Sequence, residues 1–182
     1  MNKFEFFDFR RNKIETNQKR NEKEIEILAQ EIVRKFKKKK LFLAIMESCT
    51  GGGLANVITN VVGASDVFKG GFVTYSNQEK IARGVPKKMI QKYSVYSPQV
   101  ALAMAQRAIK EVKGTDFGVG ITGSFSRPDP KNPNSQVGQV FVGIVFKNKK
   151  LVINFLFPNL KKRSAMKAMV LRKILEIMRK II

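Results

Sequence analysis

Leu41-Phe42-Leu43-Ala44-Ile45-Met46-Glu47-Ser48-Cys49-Thr50-Gly51-Gly52-Gly53-Leu54-Ala55-Asn56-Val57-Ile58 is the stretch whose reading decides the fold. The apolar run Leu41 to Met46 predicts a short buried strand. It halts at small and polar residues, three glycines follow, and Leu54 onward reads as the start of a helix. Glycines at such a turn reach positive φ and let another group approach the backbone closely. The helix behind them presents unbonded N–H groups and a partial positive charge. Ser48 falls where the strand hands over to the turn, and a hydroxyl there can face an oxyanion held by backbone donors. The same pattern also suits a tight connecting turn with no chemistry. It is not a Walker A loop, because no Gly-Lys-Ser/Thr follows. Nor is it a G-x-S-x-G elbow, because residue 46 is Met.

Working outward, residues 22–38 predict a helix, with Ile25, Leu28, Ile32 and Phe36 on one stripe. Lys35 to Lys38 crowd its last turns, as the macrodipole favours. After the glycine turn a helix should run to about Asn60. A second strand is expected over about 70–75, ending at Tyr75. Ser76 or Asn77 can then cap a helix with Lys80 in its first turns. A short helix is expected over about 87–93. Ser97-Pro98 opens a longer one, with serine as cap and proline in the first turn, reaching about Val112. Phe117 to Ile121 predicts a third strand, closed by Thr122-Gly123. The stretch Ser124 to Gln136 carries Pro128, Pro130 and Pro133 and reads as a long loop, functional or disordered. Residues 137–157 predict a β-hairpin, and 162–181 a final helix striped by Met166, Val170, Ile174, Ile177 and Ile181. Helices alternating with strands, then a hairpin, predict an α/β domain: a three-layer α/β/α sandwich with a mixed sheet, a C-terminal hairpin and a last helix. In such a sheet the carboxyl ends of parallel strands line one crevice. Ser48, Tyr75 and Thr122 all fall at such ends. Residues 1–21, with Phe4, Phe6, Phe7 and Phe9, show no clean period. They are expected to form an N-terminal extension, loosely ordered or docking its phenylalanines on the body or on a partner.

Composition removes several classes. The chain has 182 residues, no histidine and a single cysteine, Cys49. That rules out Ser-His-Asp and Cys-His catalysis, a disulfide framework and histidine- or cysteine-rich metal sites. With few carboxylates and no DxD or ExxE cluster, no protein-held metal and no cofactor are expected. No apolar run is long enough for a membrane span and no secretory pattern opens the chain, so a cytoplasmic protein is expected. The formal net charge of +21 is spread along the chain apart from Lys37 to Lys40. It suits a nucleic-acid binder, or simply solvated lysine-rich faces that attract polyanions at low salt.

Without histidine, a serine nucleophile needs another base. A lysine kept neutral by burial can serve. Ser48, Tyr75 and Lys80 are the residues that could converge at one crevice edge, although any basic α/β protein carries such residues at strand ends.

Here a resemblance adds to the residues. Ala44-x-x-Glu47-Ser48-Cys49-Thr50-Gly51-Gly52 resembles the A-x-E-S-C-T-G-G signature of the CinA C-terminal domain family. Gly70-Gly71-x-Val73-x-Tyr75-Ser76-Asn77-x-x-Lys80, then Gly84-Val85-Pro86, resembles its second motif. Ser97 to Ala105 is similar to its S-x-x-V-A-x-x-M-A helix, Gly120-Ile121-Thr122-Gly123 to its G-I-T-G strand end, and Val137-Gly138-x-Val140 to its V-G-x-V strand. The likeness covers about residues 22–182. It implies the stand-alone form of a nicotinamide mononucleotide amidohydrolase, which releases nicotinate mononucleotide and ammonia. Carried over, it implies Ser48 as nucleophile, Lys80 as base and Tyr75 as proton relay. It places substrate contacts at Thr50, Gly51, Gly52, Asn77, Thr122 and Gly123, with backbone amides near Ser48 to Gly52 as oxyanion donors. It also implies a small nucleotide substrate, no membrane, no specific nucleic acid and a homo-oligomer.

Two departures stand out. The family's glycine-rich stretch after G-I-T-G is replaced by Ser124 to Gln136, where Arg127 or Lys131 could hold a phosphate. The family's F-P-G-D-R becomes Phe157-Pro158-Asn159-Leu160-Lys161, so the arginine's role passes to Lys161 or Arg163. Lysine offers a point charge where arginine offers a fork. The competing expectations are a weak or inactive nucleotide-binding or regulatory module, and a competence-linked nucleic-acid-associated protein.

Overall fold

The computed structural model describes residues 4–9, 18–125, 128–130, 132, 135–158 and 162–182. Six strands form one mixed sheet, and helices cover both faces. In chain order the elements are β1 (Glu5–Asp8), α1 (Gln18–Lys39), β2 (Leu43–Glu47), α2 (Gly53–Thr59), a 3-10 turn (Ala64–Asp66), β3 (Phe68–Val73), α3 (Asn77–Ala82), α4 (Lys87–Tyr93), α5 (Pro98–Glu111), β4 (Phe117–Gly123), β5 (Gln139–Phe146), β6 (Lys149–Leu156) and α6 (Arg163–Ile181). The strand order is β1-β6-β5-β4-β2-β3. Strands β3, β2 and β4 run parallel, and β5 and β6 return antiparallel as the hairpin. The expected three-layer α/β/α architecture with a mixed sheet is the one observed.

Alternation along the strands explains the layering. Leu43 and Ile45 of β2, with Phe117, Val119 and Ile121 of β4, face α1, α2 and α6. The stripe Ile25, Leu28, Ile32 and Phe36 lies in this core, as do Met166, Val170 and Ile174. Ala44 and Met46 point the other way, against Val100, Met104 and Ala108 of α5. Strands read on both faces as apolar because both faces are covered. Helix α1 begins before the expected start, so its glutamates lie beyond the first turn. Glu24 bonds Arg172 of α6 at 2.5 Å instead. That guanidinium holds the Glu24 carboxyl below the usual carboxylate range.

Within the stretch read as an extension, Glu5–Asp8 add a sixth strand, parallel to β6. The Phe9 ring stacks on Phe155 at 5.7 Å between centroids. Its phenylalanines therefore dock in part on the body of the molecule, while Phe6 and Phe7 stay exposed. The proline-rich loop after β4 contains an isolated bridge between Asp129 and Asn132.

Helix α5 approaches the sheet over glycines. A Cβ on Gly120 would lie 2.2 Å from the Ala101 carbonyl oxygen, and one on Gly143 2.4 Å from the same oxygen. One on Gly118 would lie 2.4 Å from the Ala105 oxygen. Gly120 and Gly143 are register partners on adjacent strands. This bare patch lets backbone pack on backbone. Because the obstacle is main chain, Gly120→Ala should destabilise the protein by about 1–3 kcal/mol or more, read as a lowered urea midpoint.

Candidate active site

The carboxyl ends of β2, β3 and β4 meet at one edge of the sheet. From β2 the chain passes to β3 on one side and only then crosses over to β4 on the other, which makes the switch point at which open α/β sheets form a crevice. The Ser48 amide donates to the Ile121 carbonyl at 3.0 Å, which extends the β2–β4 ladder by one bond and fixes the start of the turn. Gly51 and Gly52 then take φ of 63° and 88°, left-handed values that glycine adopts without strain. Gly52 is the N-cap of α2.

Glu47 holds this turn from beneath. Its buried carboxylate accepts the amides of Leu54 at 3.1 Å and Ala55 at 2.8 Å. These are donors that the first turn of a helix leaves unpaired, so a side chain from the strand caps a helix across the turn. The Glu47 carbonyl also accepts the Thr74 amide at 2.8 Å, which ties the end of β3 to the end of β2.

From Thr74 the chain turns into α3. The Ser76 hydroxyl accepts the Glu79 amide at 3.1 Å as its cap. Side chains on a helix lean toward its N-terminus, which aims Lys80 back at the strand ends. Its Nζ donates to Ser48 Oγ at 3.0 Å and to the Thr74 carbonyl at 2.7 Å. Lys80 is only 1 % exposed and has no carboxylate among these partners. Burial pushes its pKa down from 10.5 to about 8. A sizeable fraction of this amine is therefore neutral near physiological pH, beside a hydroxyl that is itself 7 % exposed. The neighbouring Cys49 is excluded as the nucleophile, since burial pushes its thiol up to about 12.

Ser48 and Lys80 open onto a pocket of about 300 Å³, also lined by Tyr75, Asn77, Tyr96, Gly123, Phe125, Asp129 and Arg163, among others. Tyr75 is 64 % exposed, and its hydroxyl accepts from Arg163 Nη2 at 3.2 Å. The Arg163 guanidinium also lies over the Phe125 ring. Of the residues singled out in the sequence, Ser48, Tyr75, Asn77, Lys80, Gly123 and Arg163 thus share one pocket.

Others are placed elsewhere. Thr122 is fully buried beneath the pocket, its hydroxyl donating to the Val95 carbonyl at 2.9 Å. Thr50 is buried, Gly51 lies near the Lys167 amine and Gly52 caps α2; none of the three lines the pocket. Arg127, Lys131 and Lys161 lie outside the described residues. Three contributors had no assigned role in the sequence reading: Glu47, Tyr96 and Asp129. Glu47 could have been noticed as a carboxylate ending an apolar strand just before a glycine turn. Tyr96 and Asp129 sit far apart in loops and carry no local signal.

Comparisons with known proteins agree with the fold. Residues 25–182 match the model of the CinA C-terminal domain. A CinA-like protein of Flavobacterium psychrophilum is 43 % identical over 107 residues, covering 58 % of this chain and 25 % of that protein. The chain spans about a third or less of the length of the first curated relatives it matches. Among solved structures, the competence/damage inducible protein CihA of Agrobacterium tumefaciens is 31 % identical, with a TM-score of 0.77 over 85 % of this chain and 93 % of that one. A CinA superfamily protein of Escherichia coli is 25 % identical, with a TM-score of 0.82 over 94 % and 97 %.

The buried amine gives a prediction on stability. Between about pH 8 and 10.5 the unfolded chain binds the Lys80 proton more fully than the folded one. Folding is therefore progressively favoured as pH rises through that window. Urea unfolding of the wild type relative to Lys80→Met should show the wild type gaining stability from pH 8 to 10.5; a pH-independent difference would contradict the lowered pKa.

Proposed function

This chain belongs to the CinA C-terminal domain family, and from that membership together with the Ser48–Lys80 contact we propose that it is an amidohydrolase. It cleaves the carboxamide of nicotinamide mononucleotide to nicotinate mononucleotide and ammonia. The observation that carries this reading is the 3.0 Å approach of a buried lysine, its pKa lowered to about 8, to the hydroxyl of Ser48.

Neutral Lys80 takes the Ser48 proton as the oxygen attacks the carboxamide carbon. The Ser48, Gly51 and Gly53 amides already bond backbone carbonyls, which leaves the Cys49, Thr50 and Gly52 amides as the donors of this turn for the developing oxyanion. When the tetrahedral intermediate collapses, the carbon–nitrogen bond breaks. The proton held by Lys80 passes to the departing nitrogen with the Tyr75 hydroxyl as relay, and ammonia leaves. Water then adds to the Ser48 ester, giving up its proton to Lys80; the bond between the acyl carbon and Ser48 Oγ breaks, Lys80 returns the proton to Oγ, and the carboxylic acid is released. Splitting the cleavage in two lowers each barrier. Arg163, at the mouth beside Tyr75, supplies a fork for the phosphate, and its partner Tyr75 keeps that cation at the site.

Purified protein should release ammonia from nicotinamide mononucleotide, and Ser48→Ala should lower kcat by about 10³-fold or more. The kcat/KM should climb with pH to an apparent pKa near 8, the Lys80 value, and Lys80→Met should abolish turnover while still binding the nucleotide. Arg163→Ala should raise KM about tenfold with a smaller change in kcat. Nucleotide binding with no ammonia release by the folded wild type would replace the enzyme with a binding module.

A further inference from the structure

The edge of the sheet opposite the candidate active site carries a row of cations. Strands β2, β3 and β4 begin there, and the β5–β6 hairpin turns there. Lys69 is the second residue of β3. Lys40 stands in the turn before β2, Lys113 in the connection before β4, and Lys147 at the tip of the hairpin. All four are exposed, and none of them makes an ion pair among the described residues. Their strands are successive neighbours in the order β3-β2-β4-β5. At about 4.8 Å per strand the row therefore runs about 15 Å. The carboxylates of this end are engaged. Asp66 pairs with Lys37 at 2.7 Å, Glu111 pairs with Arg107 at 2.7 Å, and Asp116 accepts the Phe42 amide at 3.0 Å.

The helix macrodipole explains only part of this charge. It accounts for Lys37, Lys38 and Lys39 in the last turn of α1. It does not account for the other four, which lie in turns, a connection and a strand. Lys40 has φ of 52° and Lys147 φ of 54°, left-handed values at which glycine is relaxed and lysine is not. Lysine therefore costs stability at both positions, and what it adds there is charge. Lys69 Nζ lies 4.5 Å from the centroid of the Phe42 ring, and Lys147 Nζ 5.4 Å from that of Phe146. The amines cover these rings, so the edge presents cations without open aromatic planes on which unpaired bases could stack. Of the exposed large apolar side chains only Val62 lies in a connection at this end, too little to enter a bilayer. Lysines are point charges that suit phosphates and bring no bidentate reading of bases. Along one strand of a duplex, phosphates recur about every 3.4 Å of axis, so the row matches about four of them. We propose that this edge is a sequence-independent docking surface for the phosphate backbone of a double-stranded nucleic acid, with Lys40, Lys69, Lys113 and Lys147 as its contacts. It lies at the far end of the strands from Ser48 and Lys80 and does not rest on the amidohydrolase reading.

The test titrates the full chain into a fluorescently labelled DNA duplex of about 20 base pairs and reads anisotropy from about 50 to about 200 mM KCl. Four phosphate contacts give log K a slope on log salt of about −3.6, an affinity loss of about 10²-fold over that range. Lys40→Gln with Lys69→Gln and Lys113→Gln should flatten the slope to about −1. Lys87→Gln with Lys88→Gln and Lys92→Gln removes the same charge from exposed positions of α4 and should leave the slope near the parent value. Lys40→Gly with Lys147→Gly relieves both left-handed positions. Its urea midpoint should hold or rise while the slope flattens by about two, a pair of results that loss of the fold cannot produce. Equal weakening by the edge triple and the α4 triple means that net charge alone draws the duplex, and it overturns the proposal. So does a failure of the parent to bind at about 50 mM salt. Tighter binding, at equal phosphate, of a single strand or of phosphatidylglycerol vesicles gives the edge to that partner and overturns it too.

Discussion

The burial of the Lys80 amine is the constraint on which the site depends. An ammonium taken out of water without a carboxylate partner is strongly disfavoured, so it sheds its proton near pH 8 instead of 10.5. That converts an ordinary surface cation into a base. It also demands that the amine be met by acceptors, and the two present are the Ser48 hydroxyl and the Thr74 carbonyl. Each sits at the end of a different parallel strand. The lysine therefore works only if β2 and β3 end in register, which the Thr74–Glu47 backbone bond secures.

Glu47 extends the same logic in the opposite sense. A buried carboxylate is tolerable where it accepts hydrogen bonds, and here it accepts two from the opening of α2. The bonds convert a glycine-rich turn, flexible by composition, into a rigid ledge for Ser48. Glutamate before the serine and lysine in the next helix are thus two buried ionisable groups with separate duties. One sets the backbone and the other sets the proton.

Much of this was legible in the sequence because it is local. The apolar run before Ser48, the Ser76 and Ser97 caps and the stripes on the helices each follow from neighbours within a few residues, and each stands where expected to within a few positions. The convergence of Ser48, Tyr75 and Lys80 on one pocket was readable because Ser48 and Tyr75 fall at the ends of neighbouring parallel strands and Lys80 stands in the first turns of the helix that follows Tyr75. What was not readable is long-range. Nothing near Glu5 says that this segment will pair with β6, about 145 residues away. Nothing near Thr122 says that its hydroxyl will be spent on Val95 and not on a ligand. Nor does the proline-rich composition of 124–136 reveal that Asp129 and Asn132 will bridge, since that order comes from Ser94 and Tyr96 on the other side of α5.

The glycine patch under α5 constrains how this sequence can drift. At Gly118, Gly120 and Gly143 an added methyl would strike a carbonyl oxygen first, at 2.2–2.4 Å, before any side chain. No shrinking of a neighbouring residue can make room, because every amino acid has that oxygen. A change at any of the three can be rescued only by lifting the whole helix. Lifting it would also displace Ser97, Val95 and, through the Val95 carbonyl, the strand end at Thr122 that borders the pocket. These positions touch no substrate, yet they are tied to the geometry of the site as tightly as the residues that do.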